Sequence, residues 1–167
     1  MDQIRNAAPE QKLPRWNELP DLELYMDQVI ALVRRYLDGY PSVGGKSLTP
    51  AMVNNYVKQG VLPAPKGKKY TKQHLAHLLA ICILKASLPI ASIRQVIARE
   101  LEQNTEAETY DCFCDLLEEA GRNAAQALAA EADPMTALYR AALRAQAEQA
   151  TAWNLCGELF PEKPEKK

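Results

Sequence analysis

The middle of this chain is divided by punctuation that leaves few folds open. Thr49 followed by Pro50 opens a helix. A threonine hydroxyl can accept from the free N–H groups of a first turn, and proline at the first helical position gives up a donor that had no partner anyway. Gly60 closes that helix, so it is predicted over 49–59, glycine being the residue that turns a helix end left-handed without strain. Pro63 and Pro65 then forbid a long strand, and Lys66-Gly67-Lys68-Lys69 reads as the basic tip of a short two-stranded ribbon. Thr71 caps a further helix, about 72–87. The pattern is helix, small wing, helix.

Helical periodicity organises the rest. Asp21 and Gly39 bracket a helix over about 22–38, with Leu22, Tyr25, Met26, Val29, Ile30, Val33 and Leu37 as its apolar face. Pro41 to Lys46 is a glycine-containing connector and the best internal hinge. In helix 72–87, Leu75, Leu78, Leu79, Cys82 and Ile83 point inward. Beyond Pro89 a helix starts near Ala91, with Ile93, Val96, Ile97 and Leu101 as its stripe. Two more helices follow, about 107–131 and 135–159, split by Asp133-Pro134. Leu116, Leu117, Ala120, Ala124 and Leu128 suit the face of the first, and Leu138, Tyr139, Ala142, Ala150, Trp153 and Phe160 that of the second. The reading is an all-α protein with a small β wing. An N-terminal arm (1–21), in which Leu13, Trp16 and Leu19 dock on the body, precedes a winged helix-turn-helix core (22–103). An acidic helical extension (104–160) and a disordered tail (161–167) follow it.

Charge gives this pattern a function. From Gly39 to Arg99 there is no acid, but there are seven lysines and two arginines, a charge of +9. The whole chain is −1, so the rest carries −10. Such asymmetry points to a polyanionic partner for one segment only. DNA presents phosphate charge and base edges. Lysine meets the first without sequence preference, and asparagine can donate and accept together at adenine N6 and N7. On helix 49–59, Asn54, Asn55 and Lys58 fall opposite a face containing Val53, Tyr56 and Val57. The expected contact set is Thr49, Asn54, Asn55, Lys58, Lys66, Lys68, Lys69, Tyr70 and Lys72. Tyr56 and Tyr70 also read as aromatics that anchor the core through their rings.

The stretch Leu48-Thr49-Pro50-x-x-Val53-x-x-Tyr56-x-x-x-Gly60-Val61-Leu62-Pro63 resembles the recognition helix and turn of MerR-type winged helix-turn-helix regulators. Lys69-Tyr70-Thr71 before a leucine-rich helix is similar to their wing exit, and Leu88-Pro89-Ile90-x-x-Ile93 to their entry into the next helix. That similarity covers about 48–97. Where those regulators carry arginine and then an aromatic, this chain has Asn54 and Asn55, so the base-reading role of the asparagines comes from their own chemistry. More specifically, about 13–100 resembles an uncharacterised domain family of Firmicutes, a domain of unknown function. Its residues here are Leu22-x-x-Tyr25-Met26-Asp27-Gln28-Val29, Asn54-Asn55-Tyr56-Val57-Lys58, Lys68-Lys69-Tyr70-Thr71-Lys72-x-His74-Leu75 and Ile83-Leu84-Lys85. The first resemblance implies the winged fold and DNA binding; the second implies no activity.

Other chemistries find less support. No glycine-rich phosphate loop, nucleophile elbow or HExxH motif occurs, so an enzyme is not expected. His74 and His77 lack a third firm ligand, so neither metal nor cofactor is expected; His74, near a helix start, reads as a surface or phosphate-side residue. Cys82 and Cys156 read as small buried hydrophobes. Cys112 and Cys114 would face opposite ways on a helix, one buried and one exposed. The longest apolar run, Leu78 to Leu84, is too short for a bilayer, which needs about 20 residues. A soluble, cytoplasmic protein without a secretory signal is expected. The expectation is therefore a transcriptional regulator that binds double-stranded DNA sequence-specifically as a homodimer. The C-terminal helices would make the dimer or hold an effector pocket. The alternative is a protein-interaction adaptor that retains the winged-helix fold without DNA binding.

Overall fold

The computed structural model describes residues 12–38, 40 and 47–161. The expectations for residues 1–11, the stop at Gly39, the connector 41–46 and the tail 162–167 lie outside them. Among the described residues the protein is helical, with a 3-10 turn at Trp16–Glu18 followed by α1 (Met26–Tyr36), α2 (Pro50–Lys58), α3 (Lys72–Leu84), α4 (Ile90–Glu100), α5 (Glu106–Ala129) and α6 (Pro134–Leu159).

The architecture centres on α3. Its sequence, KQHLAHLLAICIL, is apolar on nearly every side, which suits a helix surrounded by others. Leu75, Leu78, Leu79 and Ile81 are all fully buried. Helices α1, α4 and α5 pack around it. Val29 and Val33 enter from α1, Ile93 from α4, and Tyr110 and Cys114 from α5. Each such aliphatic side chain contributes about 1.5–3 kcal/mol on leaving water. The arm docks as expected: Leu13 and Leu19 are buried and Trp16 packs on the same cluster. Arg15 holds it there, with Nη2 2.8 Å from Asp115 Oδ1 and 2.9 Å from Glu118 Oε1 on α5.

Helix α1 begins later than expected, at Met26 rather than about residue 22. Leu24 is committed elsewhere: its N–H donates to Tyr70 O at 2.8 Å, and Tyr70 N–H donates to Leu24 O at 2.8 Å. This two-way pairing holds the chain extended, so Asp21 is no helix cap. Leu22 and Tyr25 are outward-facing, 58% and 53% exposed, and leave the expected apolar face. Tyr25 N–H is capped instead by Gln28 Oε1 at 2.9 Å.

The ribbon is corrected as well. Among the described residues there is no sheet; the basic tip is a single tight turn closed by an isolated bridge between Lys66 and Lys69. Lys69 N–H donates to Lys66 O at 2.9 Å. Gly67 and Lys68 both take positive φ, 55° and 63°, the signature of a type I′ turn. Pro63 and Pro65, just upstream, have no N–H with which to extend a ladder.

The C-terminal helices form as expected, but their packing differs. Helix α6 lies against α5, yet Leu116, Leu138, Tyr139 and Trp153, expected inward, are all at least half exposed. Helical periodicity marks an apolar face; it does not say which partner covers it. The end of α6 is tied back to the body by Trp153 Nε1, which donates to Ser87 O at 2.7 Å. The four thiols are free. Cys114 is buried and Cys112 exposed, while Cys82 and Cys156 are half-buried.

Candidate nucleic-acid interface

Helix α2 is a short element with defined ends. Thr49 Oγ1 accepts from Met52 N–H at 3.3 Å and Pro50 occupies the first turn. At the other end Gly60, at φ 69°, donates to Val57 O at 3.0 Å while Val61 N–H donates to Tyr56 O at 3.1 Å. That pair of bonds is a Schellman motif. It turns the chain so that Val61 and Leu62 drop into the core. Val53 and Tyr56 are buried on the inner face of the helix. Burial of the Tyr56 ring pushes its phenol up to about 12.

The outer face follows from this anchoring. Asn54, Asn55 and Lys58 are exposed, as is Thr49. The turn that follows exposes Lys66 and Lys68. Among the described residues no ion pair engages Lys58, Lys66 or Lys68, whereas Arg15, Arg99, Arg122 and Arg140 each meet a carboxylate. Lys58, Lys66 and Lys68 thus present exposed, unpaired positive charge on α2 and the turn after it.

Three expected contact residues are placed differently. Tyr70 is buried, with its ring edge-on to His74 at 5.4 Å between centroids. Any role it has at the surface is indirect, through the backbone pair with Leu24 that holds the turn. Lys69 Nζ sits 3.7 Å from the centroid of the Tyr25 ring, and Lys72 Nζ lies 5.5 Å from that of Trp16. Both lysines are half-buried against the N-terminal segment. A cation over an aromatic face is attracted by the ring quadrupole, so these two give up part of their reach.

His74 also departs from its expected surface position. It is buried, and its Nδ1 accepts from Thr71 N–H at 3.0 Å, completing the cap of α3. Burial, and then neighbouring His77, hold its ring below the ordinary histidine value. Among the described residues no cluster of three metal-ligating side chains occurs.

Sequence reasoning missed the residue that sets α2 against α1. Arg34, on α1, directs Nε and Nη2 to Leu48 O at 3.2 and 2.7 Å. The carbonyl lies just before the Thr49 cap, so the guanidinium fork fixes the entry of α2. Position 34 carries no local mark of this role; an arginine on the outer half of an amphipathic helix looks solvated.

The family model described as "Domain of unknown function (DUF1836)" matches residues 14–114. That span runs from the docked arm through Cys114, the last core residue on α5. No curated protein matches the chain, and neither does any solved structure. Among the described residues, no helix is long and apolar enough to cross a membrane.

Proposed function

The chain belongs to the DUF1836 family, a domain of unknown function, and from the charge and the outer face of α2 we propose that it is a sequence-specific DNA-binding regulator. In this reading α1 and α2 form a helix-turn-helix of the MerR-like winged type, with the turn at Lys66–Lys69 as a reduced wing. Helix α2 enters the major groove. Asn54 and Asn55 read base edges and Lys58, Lys66 and Lys68 meet phosphates. Thr49 and the first turn of α2 add a backbone contact, while Lys69 and Lys72 add charge from their seats on Tyr25 and Trp16. One small module binds weakly, so the active form is a homodimer, as operator symmetry favours. It acts in the cytoplasm.

The observation that carries this reading is the outer face of α2. Two asparagines and a lysine stand exposed on a helix whose inner face is locked, in a segment of charge +9 without an acid. The packing of α1 on α2, fixed by Arg34 on Leu48 O, supports the paired-helix arrangement. The second reading is an adaptor that keeps the fold and binds protein. It is favoured by the exposed apolar side chains of α6, Met135, Leu138, Tyr139 and Leu143 among them.

Selection of genomic fragments by the purified protein at two salt concentrations separates the two. The regulator enriches a palindromic motif whose recovery falls with salt. Lys66→Ala, Lys68→Ala and Lys69→Ala together should flatten the slope of log affinity against log salt by about 0.9 for each phosphate no longer neutralised. Asn54→Ala and Asn55→Ala should instead relax base preference, by about 1–3 kcal/mol for each bidentate pair removed. Motif-free recovery that ignores salt leaves the adaptor.

A further inference from the structure

The two arginines of the basic segment, Arg94 and Arg99, both lie on α4 and meet different fates. Arg99 Nη1 is 2.8 Å from Glu102 Oε2, so its charge is answered within the helix end. Arg94 is exposed, and among the described residues no carboxylate pairs with it. It reaches instead to the end of α2, where its Nη1 donates to Gln59 O at 3.4 Å. Its stem runs beside Gly60, with Cδ 3.8 Å from the position a Cβ there would take.

Arg34 and Arg94 thus meet opposite ends of one helix, and they use their donors differently. Arg34 turns Nε and Nη2 onto a single carbonyl, Leu48 O, and so positions α2. Arg94 commits one N–H to Gln59 O, and the rest of its guanidinium has no partner among the described residues. The place matters electrostatically. The C-terminal end of a helix carries a partial negative charge, about half an elementary charge. A phosphate passing that end of α2 is repelled unless a cation intervenes. Lys58, in the last turn, supplies one. Arg94 supplies a second from another helix, and its planar donors can grip a phosphate at two oxygens.

We propose that Arg94 is a further DNA-contacting residue, binding the backbone phosphate beside the C-terminal end of α2. Helix α4 then joins α2 and the lysine turn in the interface. This deepens the DNA-binding reading above and rests on it. The contact set expected from the sequence holds no residue of α4, because Arg94 comes beside α2 only through the fold.

The test uses the full chain and a fluorescein-labelled duplex of mixed sequence, with affinity read by anisotropy from about 50 to 200 mM salt. Arg94→Met keeps an unbranched stem beside Gly60 and removes the charge. It should bind about tenfold more weakly at the low end. The slope of log affinity against log salt should fall by about 0.9, one phosphate. Arg94→Lys should recover the slope but only part of the affinity, since a point charge replaces the planar fork. A clasp that merely braces α2 would lower the urea midpoint of Arg94→Met and leave the slope at its wild-type value, which overturns the proposal. A slope that falls as far in Arg94→Lys as in Arg94→Met also overturns it, since charge is then not what the DNA meets. If the methionine variant does not fold, Arg94→Gln, which keeps a donor for Gln59 O without the charge, gives the same comparison. Salt-dependent binding that is identical in the wild-type and Arg94→Met proteins removes Arg94 alone. No salt-dependent binding by the wild-type protein removes the DNA reading and this contact together.

Discussion

At the scale of single residues, the least conventional element is the cap of α3. Thr71 N–H finds its acceptor on an imidazole, His74 Nδ1, where a helix start of this kind more often uses glutamate or glutamine. The ring is buried beneath Tyr70, and burial, reinforced by the nearby His77, keeps its pKa below the ordinary 6.5. The sign follows from proton counting. Below pH 6.5 the unfolded chain binds a proton at this position that the folded chain resists, so folding loses stability as pH falls through that window. Urea midpoints should therefore drop from pH 7.5 to pH 5. His74→Gln restores the usual Thr-x-x-Gln capping box without a titrating ring, and should flatten that drop while retaining the helix. An unchanged pH slope in the glutamine variant would show that other groups govern it.

At the scale of elements, what was legible in the sequence was what local chemistry decides. Thr49-Pro50 and Gly60 set both ends of α2, and the inward Val53 and Tyr56 left Asn54, Asn55 and Lys58 outside. The start of α1 was not legible, because Leu24 is held extended by Tyr70, a pairing across the chain that no nearby pattern announces. The same pairing brings the turn beside the N-terminal segment, where Tyr25 and Trp16 capture Lys69 and Lys72. Charge counting had treated all the lysines as equivalent. Nor did periodicity show that α6 would leave its apolar side chains uncovered while one tryptophan, through its indole N–H, tied its end to Ser87. Trp153→Phe removes that bond and keeps most of the ring area. It should cost about 1 kcal/mol and speed amide exchange over the last turns of α6, with α3 unaffected. Equal exchange in both proteins would mean that packing on α5 alone holds the helix.

At the scale of the whole molecule, the two halves of the chain present opposite surfaces. The basic segment exposes unpaired lysines, and the acidic half exposes carbon. Met135, Leu138, Tyr139 and Leu143 lie within about 140° of arc on α6 by helical geometry, and each is more than half exposed. An isolated soluble monomer gains nothing from such a stripe, but a second copy of the helix laid against it would bury both. The regulator reading needs that second copy, because one recognition helix reads only a half-site. In that reading one surface would meet both requirements. Leu138→Glu with Leu143→Glu should convert the dimer to a monomer in sedimentation equilibrium, leaving the α3-centred core and its thermal transition in place. Affinity for a palindromic site should then fall by about 10²-fold or more, the loss of avidity between two linked half-sites. Affinity for a single half-site should stay the same. A double variant that remains dimeric would move the interface off α6. A monomeric variant with full affinity for the palindrome would separate dimerisation from DNA recognition and weaken the case for a two-fold operator.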